Sequence, residues 1–557
     1  MSGTARDLDD ATGDIPWDHL VVGAGSAGSV TAARLVSAGA RVLLVEAGGE
    51  QPEGGPETNP LRDANRLILE GFNWDHRANL RSSTRWDELV GADGTSGPTA
   101  SEGRSRALWT RFPYQLGKVV GGSSAVNGAI AMRPLRRDFD TWVAGGNPDW
   151  SWDRVLPYYR RIENDADHPG DAAHGDRGAI PVRRPGPADL HELEVAFRAA
   201  CLRLGVEDLP DLNGGGERGV GPVPANSVDG ERIDAATAYL TDVRKLPELE
   251  LRTGCRVTRV LFEGRRAVGA VLVDDDGHRT AVRARNVILC AGAVGTPVVL
   301  QRSGVGDARL TAALGVPVVA DLPGVGENLA DHPSVVIWSL PGPGVCKPGM
   351  PWRQIAARMS SGYDDDVDVQ VGLLNNVEST TIPGFVDRLG SPMAVGLSVM
   401  LMRPESRGRV FAESADPDTP PVIELGMGTV ERDVDRLMHG VRKAWGVLRA
   451  PGIAERLERT QFWTDRMIGN EAVLRNGVRN IMNPGWHAVG SARMGPPSDR
   501  MSVVDQRGRV HGLEGLRVVD ASVFPSVPSV PTNLTTLMLA ERIGDDIVAA
   551  FKGGIPA

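Results

Sequence analysis

The run Gly23-Ala24-Gly25-Ser26-Ala27-Gly28 constrains the fold of this 557-residue chain more than any other feature. It follows a short apolar stretch, His19 to Val22. It opens the segment Ser26 to Ala38, where Ala27, Val30, Ala33 and Leu35 recur at helical spacing. Gly39 stops that helix in the manner of a C-cap. Arg41 to Val45 is a second, nearly all-apolar strand, as expected when both faces of a parallel sheet are covered. Gly23 permits the tight turn, Gly25 lets the backbone approach a pyrophosphate, and Gly28 lets the helix pack closely on the sheet. Ser26 and Ala27 supply free backbone N–H groups at the positive end of the helix dipole. Glu46, 18 residues after Gly28 and followed by Ala47, is placed to accept from ribose hydroxyls. This unit predicts a dinucleotide site without choosing between dinucleotides.

The chain is too long for one core, and roughly two to four domains are expected. Strands of nucleotide-binding character recur in mid-chain, where LELRTG, RVTRVLFE, AVGAVLVDD, TAVRA and NVILCAG follow one another from Leu249. LRVVDAS at Leu516 and a helix over Leu534 to Phe551 lie near the C-terminus. These strands can share one sheet only if the intervening segments are excursions into another domain. The expected fold class is therefore α/β, with a Rossmann-like domain from residues 1–155, 218–328 and 484–557. A discontinuous antiparallel-sheet domain, 156–217 and 329–483, would hold the substrate.

Asp and Glu total 71 against 61 Lys and Arg, a net charge of −10, which argues against a nucleic-acid footprint. Cys201, Cys255, Cys290 and Cys346 are scattered, with no Cys-x-x-Cys pair and no zinc-ligand spacing. No metal site is expected, and the cysteines read as small hydrophobes. The N-terminus has four Asp in its first 14 residues and no apolar core of a secretory signal. No run has the length of a membrane span. A cytoplasmic location is the expectation. The Gly/Ser/Thr-rich segment Gly91 to Arg106 reads as a surface loop, lid or disordered insertion.

A second motif, Gly117 to Asp140, reads GKVVGGSSAVNGAIAMRPLRRDFD. Gly121 and Gly122 leave the backbone bare, and Ser123 and Ser124 bring hydroxyls against a further part of a cofactor. Here the sequence resembles the glucose-methanol-choline (GMC) family of flavin oxidoreductases. The family's first signature fits this segment throughout, and its second fits GAVGTPVVLQRSGVG at Gly292 to Gly306. GVGENLADH, ending at His332, and RPESRGRV at Arg403 to Val410 also resemble the family. The similarity runs from about residue 18 to residue 550.

The third constellation is Asn483-Pro484-Gly485-Trp486-His487-Ala488-Val489-Gly490, followed by VVDASVFPSVPSVPTNLTT. Alcohol oxidation removes a hydroxyl proton and a hydride from one carbon. A neutral imidazole, with an unperturbed pKa of about 6.5, suits the proton. A second polar side chain must hold the alcohol oxygen, and Asn533 can do so without changing protonation. The resemblance implies that His487 and Asn533 are the catalytic pair and that FAD takes the hydride. It further implies cofactor contacts from Trp74, Asn127, Gly128, Ala129, Ile130, Val257, Ala291, Gly292, Trp486, Asp520 and Ala521. Val126 stands where some members carry the histidine that bonds FAD covalently, so non-covalent FAD is expected. After the base the family commonly has Pro and then Gly-Thr-Cys; Ala488 and Gly490-Ser491-Ala492 stand here. Trp486 beside the base is similar to members that oxidise hydroxymethyl-furans and aromatic alcohols, or else packs on the isoalloxazine. Of the nine other histidines, His332 is the one whose position needs examination.

The expected partners are a small-molecule alcohol and dioxygen or another electron acceptor, with neither nucleic acid nor a membrane span. A lyase with structural FAD, a light-driven decarboxylase on the same fold and a flavin carrier without activity are the competing readings. Substrate choice is expected to reside in Leu340 to Met482, with Trp352, Tyr363 and Phe385 giving a partly apolar pocket. Asp364, Asp365 and Asp366 could bind a cationic substrate, but they read first as a solvated turn.

Overall fold

The computed structural model describes residues 17–66, 68, 70–83, 85–90, 111–363, 366–381 and 385–554. The polar lead-in, the Gly91 to Arg106 segment, Asp364 and Asp365 lie outside the described residues. Trp17–Val22 pairs in parallel with Val42–Val45 on one side and with the second half of Arg279–Leu289 on the other. Leu249–Arg252 extends this sheet beyond Val42–Val45, and Leu516–Val518 extends it beyond Arg279–Leu289. Strands from the start, middle and end of the chain thus form one parallel sheet. Their apolar residues are buried on both faces, and the helices Ser26–Ser37 and Asn533–Lys552 pack together against it.

The segments TAVRA and NVILC, expected as two strands, form one 11-residue strand, Arg279–Leu289. Its first half pairs antiparallel with Arg266–Asp274, and its second half joins the parallel sheet. The polar Arg285-Asn286 step breaks the apolar pattern, but it falls where the strand passes between partners and the backbone runs on.

The second sheet is antiparallel, in the order Leu457–Thr460, Pro333–Pro341, Met393–Leu401, Val369–Glu378, Ile355–Met359 and Gly219–Pro222. Gly219–Pro222, just past the expected boundary at residue 218, pairs with Ile355–Met359 of this sheet. Side chains alternate between the sheet faces with period two. Val335, Ile337, Val371, Leu373, Leu397 and Val399 are buried with Val434, Leu437 and Val441 of the helix Glu431–Leu448. The other face carries Ser334, Gln370, Gly372, Ser398 and Met400, with Ser334 and Gln370 flanking Met400 and Gly372 beside Ser398. A short ribbon joins the sheets: Gly485 N donates to His332 O, and Ala330 and Val489 exchange backbone hydrogen bonds. Among the described residues no helix is long and apolar enough to cross a membrane.

Candidate active site

The glycine turn is as tight as its sequence requires. A Cβ at Gly28 would lie 1.8 Å from Gly23 O, and Gly23 itself has φ +99°. Gly121 N donates to Ala24 O at 2.8 Å, which lays the second motif directly on the first. A Cβ at Gly122 would come within 2.7 Å of Gly25 Cα. The two motifs therefore form one backbone-lined cradle at the start of the Ser26–Ser37 helix. No side-chain cap occupies that helix N-terminus, so its N–H groups stay free for an anionic ligand.

Glu46 sits beside this cradle. Its Oε2 accepts from Ala24 N and its Oε1 from Gly48 N, both at 2.8 Å, and burial pushes its pKa up to about 7. Each oxygen keeps a further lone pair for a hydroxyl donor. Cys255 N donates to Glu46 O, which brings Val257 to the same end of the cradle as Glu46 and Ala47. Trp74 stacks on His76, and its neighbour Asn73 has both side-chain polar atoms buried without a partner among the described residues.

Several expected donors are already engaged. Ser124 Oγ donates to Gly121 O and accepts from Ala235 N, so its hydroxyl closes the protein's own turn. The hydroxyl proton of Ser124 is therefore used within the protein. Gly292 N donates to Asp520 Oδ2, which also accepts from Thr296 Oγ1, while Asp520 Oδ1 accepts from Ser522 N. Asp520 thus ties the last parallel strand to the helix that begins after Ala291. Ala521 O accepts from Gly490 N, three residues beyond His487. Asn127 Oδ1 accepts from Ala129 N, Ala129 has φ +52°, and Ile130 bridges to Ala225. A Cβ at Gly128 would meet the Trp352 ring at 2.6 Å, so this segment also touches the substrate-side wall.

His487 is built by the ribbon between the two sheets. Its backbone N donates to Asp331 Oδ1 at 2.9 Å; the same oxygen accepts from His332 N, and Asp331 Oδ2 accepts from Tyr114 Oη at 2.6 Å. Burial raises the Asp331 pKa to about 6 against these donors. His487 Nδ1 lies 2.8 Å from His332 Nδ1, and His332 Nε2 lies 3.0 Å from Pro528 O. The Pro528 carbonyl can only accept, so His332 Nε2 carries the proton. Burial lowers the His332 pKa to about 4, so at neutral pH its Nδ1 is bare. His487 Nδ1 must then donate, which leaves the His487 Nε2 lone pair free. Burial, reinforced by His332 and Arg353, holds the His487 pKa well below its ordinary value. The sequence singled out His332 without a role; Asp331, its neighbour in ADH, and Tyr114 gave no signal of their own.

Asn533 opens the C-terminal helix, and its Oδ1 accepts from Ser26 Oγ at 2.7 Å. The amide NH2 is left as the group that can donate outward. Trp486, φ +59° and 37% exposed, leans on Phe112 and donates to Pro113 O at 3.4 Å. Phe385 packs edge-on against Trp338, and Trp352 borders the same apolar cluster. Tyr363 does not join them: it is 44% exposed and packs on His439 of the Glu431–Leu448 helix. Asp366, the described member of the acidic triplet, pairs with Arg137 and Arg403 instead of forming a solvated turn.

Comparison with known proteins identifies the family. Family models described as GMC oxidoreductase match residues 17–334 and 404–540. The 5-(hydroxymethyl)furfural oxidase of Methylovorus sp. (strain MP688) is 35% identical, over 96% of this chain and 99% of its own. The oxygen-dependent choline dehydrogenase of Serratia proteamaculans (strain 568) is 34% identical, over 95% of both chains. The crystal structure of pyridoxine 4-oxidase from Mesorbium loti superposes with a TM-score of 0.81 at 28% identity, covering 95% of this chain and 99% of that one. The chain belongs to the GMC oxidoreductase family.

Proposed function

We propose that this protein is an FAD-dependent oxidase or dehydrogenase that converts an alcohol to the aldehyde or ketone. The observation that carries the reading is the His332–His487 contact, which leaves a bare Nε2 on a half-buried, neutral imidazole. His487 takes the hydroxyl proton at that atom, and the Asn533 amide holds the alcohol oxygen as negative charge develops on it. Tyr114 and Asp331 hold the backbone of His487 in place.

FAD fits the residues present. Gly122 has no room for a side chain against Gly25, the Ser26–Ser37 helix offers uncapped N–H groups, and Glu46 retains acceptor capacity beside it. Gly23, Gly25, Ser26, Ala27, Gly28, Gly121 and Gly122 would hold the pyrophosphate, and Glu46, Ala47 and Val257 the adenosine. Trp74, Asn127 to Ile130, Ala291, Gly292, Trp486, Asp520, Ala521 and Asn533 would line the rest of the cofactor. Val126 offers no ligand atom, so the cofactor is held without a covalent bond. Bound FAD supplies the two-electron acceptor for the hydride. The relatives' names point to small alcohols as substrates and, for two of them, to oxygen as the acceptor.

The test is anaerobic mixing of the holoenzyme with primary and secondary alcohols. Bleaching of the flavin band, with aldehyde formed in equal amount, is the expected result. Aldehyde and cyanide released from a cyanohydrin without bleaching would replace this reading with a lyase. His487→Gln should retain FAD and lose about a thousandfold or more in kcat.

A further inference from the structure

The substrate-side face of the second sheet holds a cation, Arg353, that forms no ion pair among the described residues. Arg353 precedes the Ile355–Met359 strand on a rigid mount. Glu194 accepts from Gln354 N and Ile355 N, and Asn375 N donates to Trp352 O. The Gln354 side chain turns away to His191 N and Asp189 O. The Arg353 guanidinium lies over Gly372, where a Cβ would stand 3.4 Å from Cζ and Nε, and beside the Trp352 ring at 5.1 Å. Among the described residues it has no ion pair within 4.0 Å and no hydrogen-bond acceptor, and its Nε is buried without a partner.

Glu194, the carboxylate nearest in electrostatic effect, is committed to Gln354 N, Ile355 N and Asn375 Nδ2, and burial pushes its pKa up to about 8. Arg353 stays charged at neutral pH, since burial lowers it only to about 10. Arg353 is half-buried with its Nε shielded from solvent, and a cation so placed is normally given a counter-charge. The missing counter-charge can come from the ligand. The guanidinium shares a sheet face with Met400, and a Cβ at Gly485 would meet both Met400 Cε at 3.2 Å and His487 Nδ1 at 3.0 Å, so the cation and the base border one chamber. Gly372 faces Ser398, and the adjoining Pro333–Pro341 strand carries Ser334 next to the ribbon of His487. Two strand spacings, about 10 Å, separate Gly372 from that strand, enough for one ring. Apolar walls from Trp338, Leu374 and Trp352 suit such a spacer.

Resting on the reading of the site as an alcohol oxidase, we infer that the substrate is an alcohol carrying a carboxylate, with the hydroxymethyl carbon at His487 and the carboxylate on Arg353. A planar guanidinium matches a carboxylate with two parallel hydrogen bonds, whereas it repels a quaternary ammonium such as choline.

The experiment uses the FAD-loaded enzyme with 4-(hydroxymethyl)benzoate, benzyl alcohol and choline, beside benzoate as a ligand that cannot be oxidised. The wild type should favour 4-(hydroxymethyl)benzoate in kcat/KM. Arg353→Met should reduce the ratio of 4-(hydroxymethyl)benzoate to benzyl alcohol at least tenfold, and Arg353→Lys should restore part of it. Benzoate should perturb the flavin spectrum saturably in the wild type and at least tenfold more weakly in Arg353→Met. Equal losses on both alcohols, a preference for choline, or benzoate binding insensitive to residue 353 would overturn the inference. Arg353-dependent benzoate binding with no alcohol oxidised would refute the alcohol reading and leave the anion site standing. Benzyl alcohol oxidised without any benzoate binding would do the reverse.

Discussion

His332 and His487 face each other Nδ1 to Nδ1 at 2.8 Å, so one ring must donate the proton that the other lacks. Pro528 O decides which, because it binds the Nε2–H of His332. The tautomer of the base is thus fixed by a residue 155 positions away in the chain.

Replacing His332 by Ala removes the acceptor and lets the His487 ring sample its other tautomer. The expected loss in kcat is about tenfold to a hundredfold, with FAD content unchanged. His332→Asn should recover part of it, because an amide oxygen can accept from Nδ1–H. Stopped-flow flavin reduction with both variants checks this.

The pH dependence of kcat/KM should have an acid limb near pH 6. His487 titrates well below its ordinary value, so it stays a competent base through that range. Asp331, raised to about 6 by burial, takes up a proton as pH falls through 6 and weakens its hold on His487 N. Tyr114 lowers the Asp331 pKa by its hydrogen bond. Tyr114→Phe should therefore move the limb upward by about one pH unit. A limb that stays in place means that Asp331 does not set it.

Two glycines in the first motif should respond differently to alanine. Gly28→Ala puts a methyl 1.8 Å from Gly23 O and should cost about 3 kcal/mol or more, preventing soluble expression. Gly25→Ala meets only Gly122 Cα at 3.6 Å, and its φ of −80° accepts a side chain. That variant should fold with a melting temperature close to the wild type, yet bind FAD about tenfold more weakly or worse. Thermal melting and flavin content separate the two.

Away from the site, His174 is buried among Glu163, Asp165 and Asp211, with Arg133 and Arg184 completing the network. The carboxylates of Asp165, Asp211 and Glu163 around the ring outweigh the opposing burial and raise the His174 pKa to about 11. Asp165 is lowered to about 2 by His174 and Arg184 against its own burial. The raised group contributes fully below pH 6.5 and loses that contribution as pH rises towards 11. The lowered acid contributes above about pH 4 and loses that contribution as pH falls towards 2. His174→Gln should destabilise by about 3 kcal/mol at pH 6 and by less at pH 9. Denaturant titrations at the two pH values check the sign.

Sequence alone determined the local units, because each depends on residues close together in the chain. The strand–glycine–helix turn, the helices after Gly292 and at Asn533, and the likeness of His487 and Asn533 to a catalytic pair were all legible. The parallel sheet was legible too, since buried strands are apolar on both faces. Tertiary structure decided what depends on distant partners. Ser124 looked like a free hydroxyl until Ala235 N occupied it. Tyr363 looked like a pocket residue, although it faces solvent beside His439. His332 became the partner of His487 only because two segments 155 residues apart run together as a ribbon. Arg353 is ordinary in sequence; only its place over Gly372, without an ion pair among the described residues, marks it out. Periodicity and glycine spacing encode backbone geometry, whereas the protonation state of a base and the charge of a pocket depend on which groups the fold brings within hydrogen-bond distance.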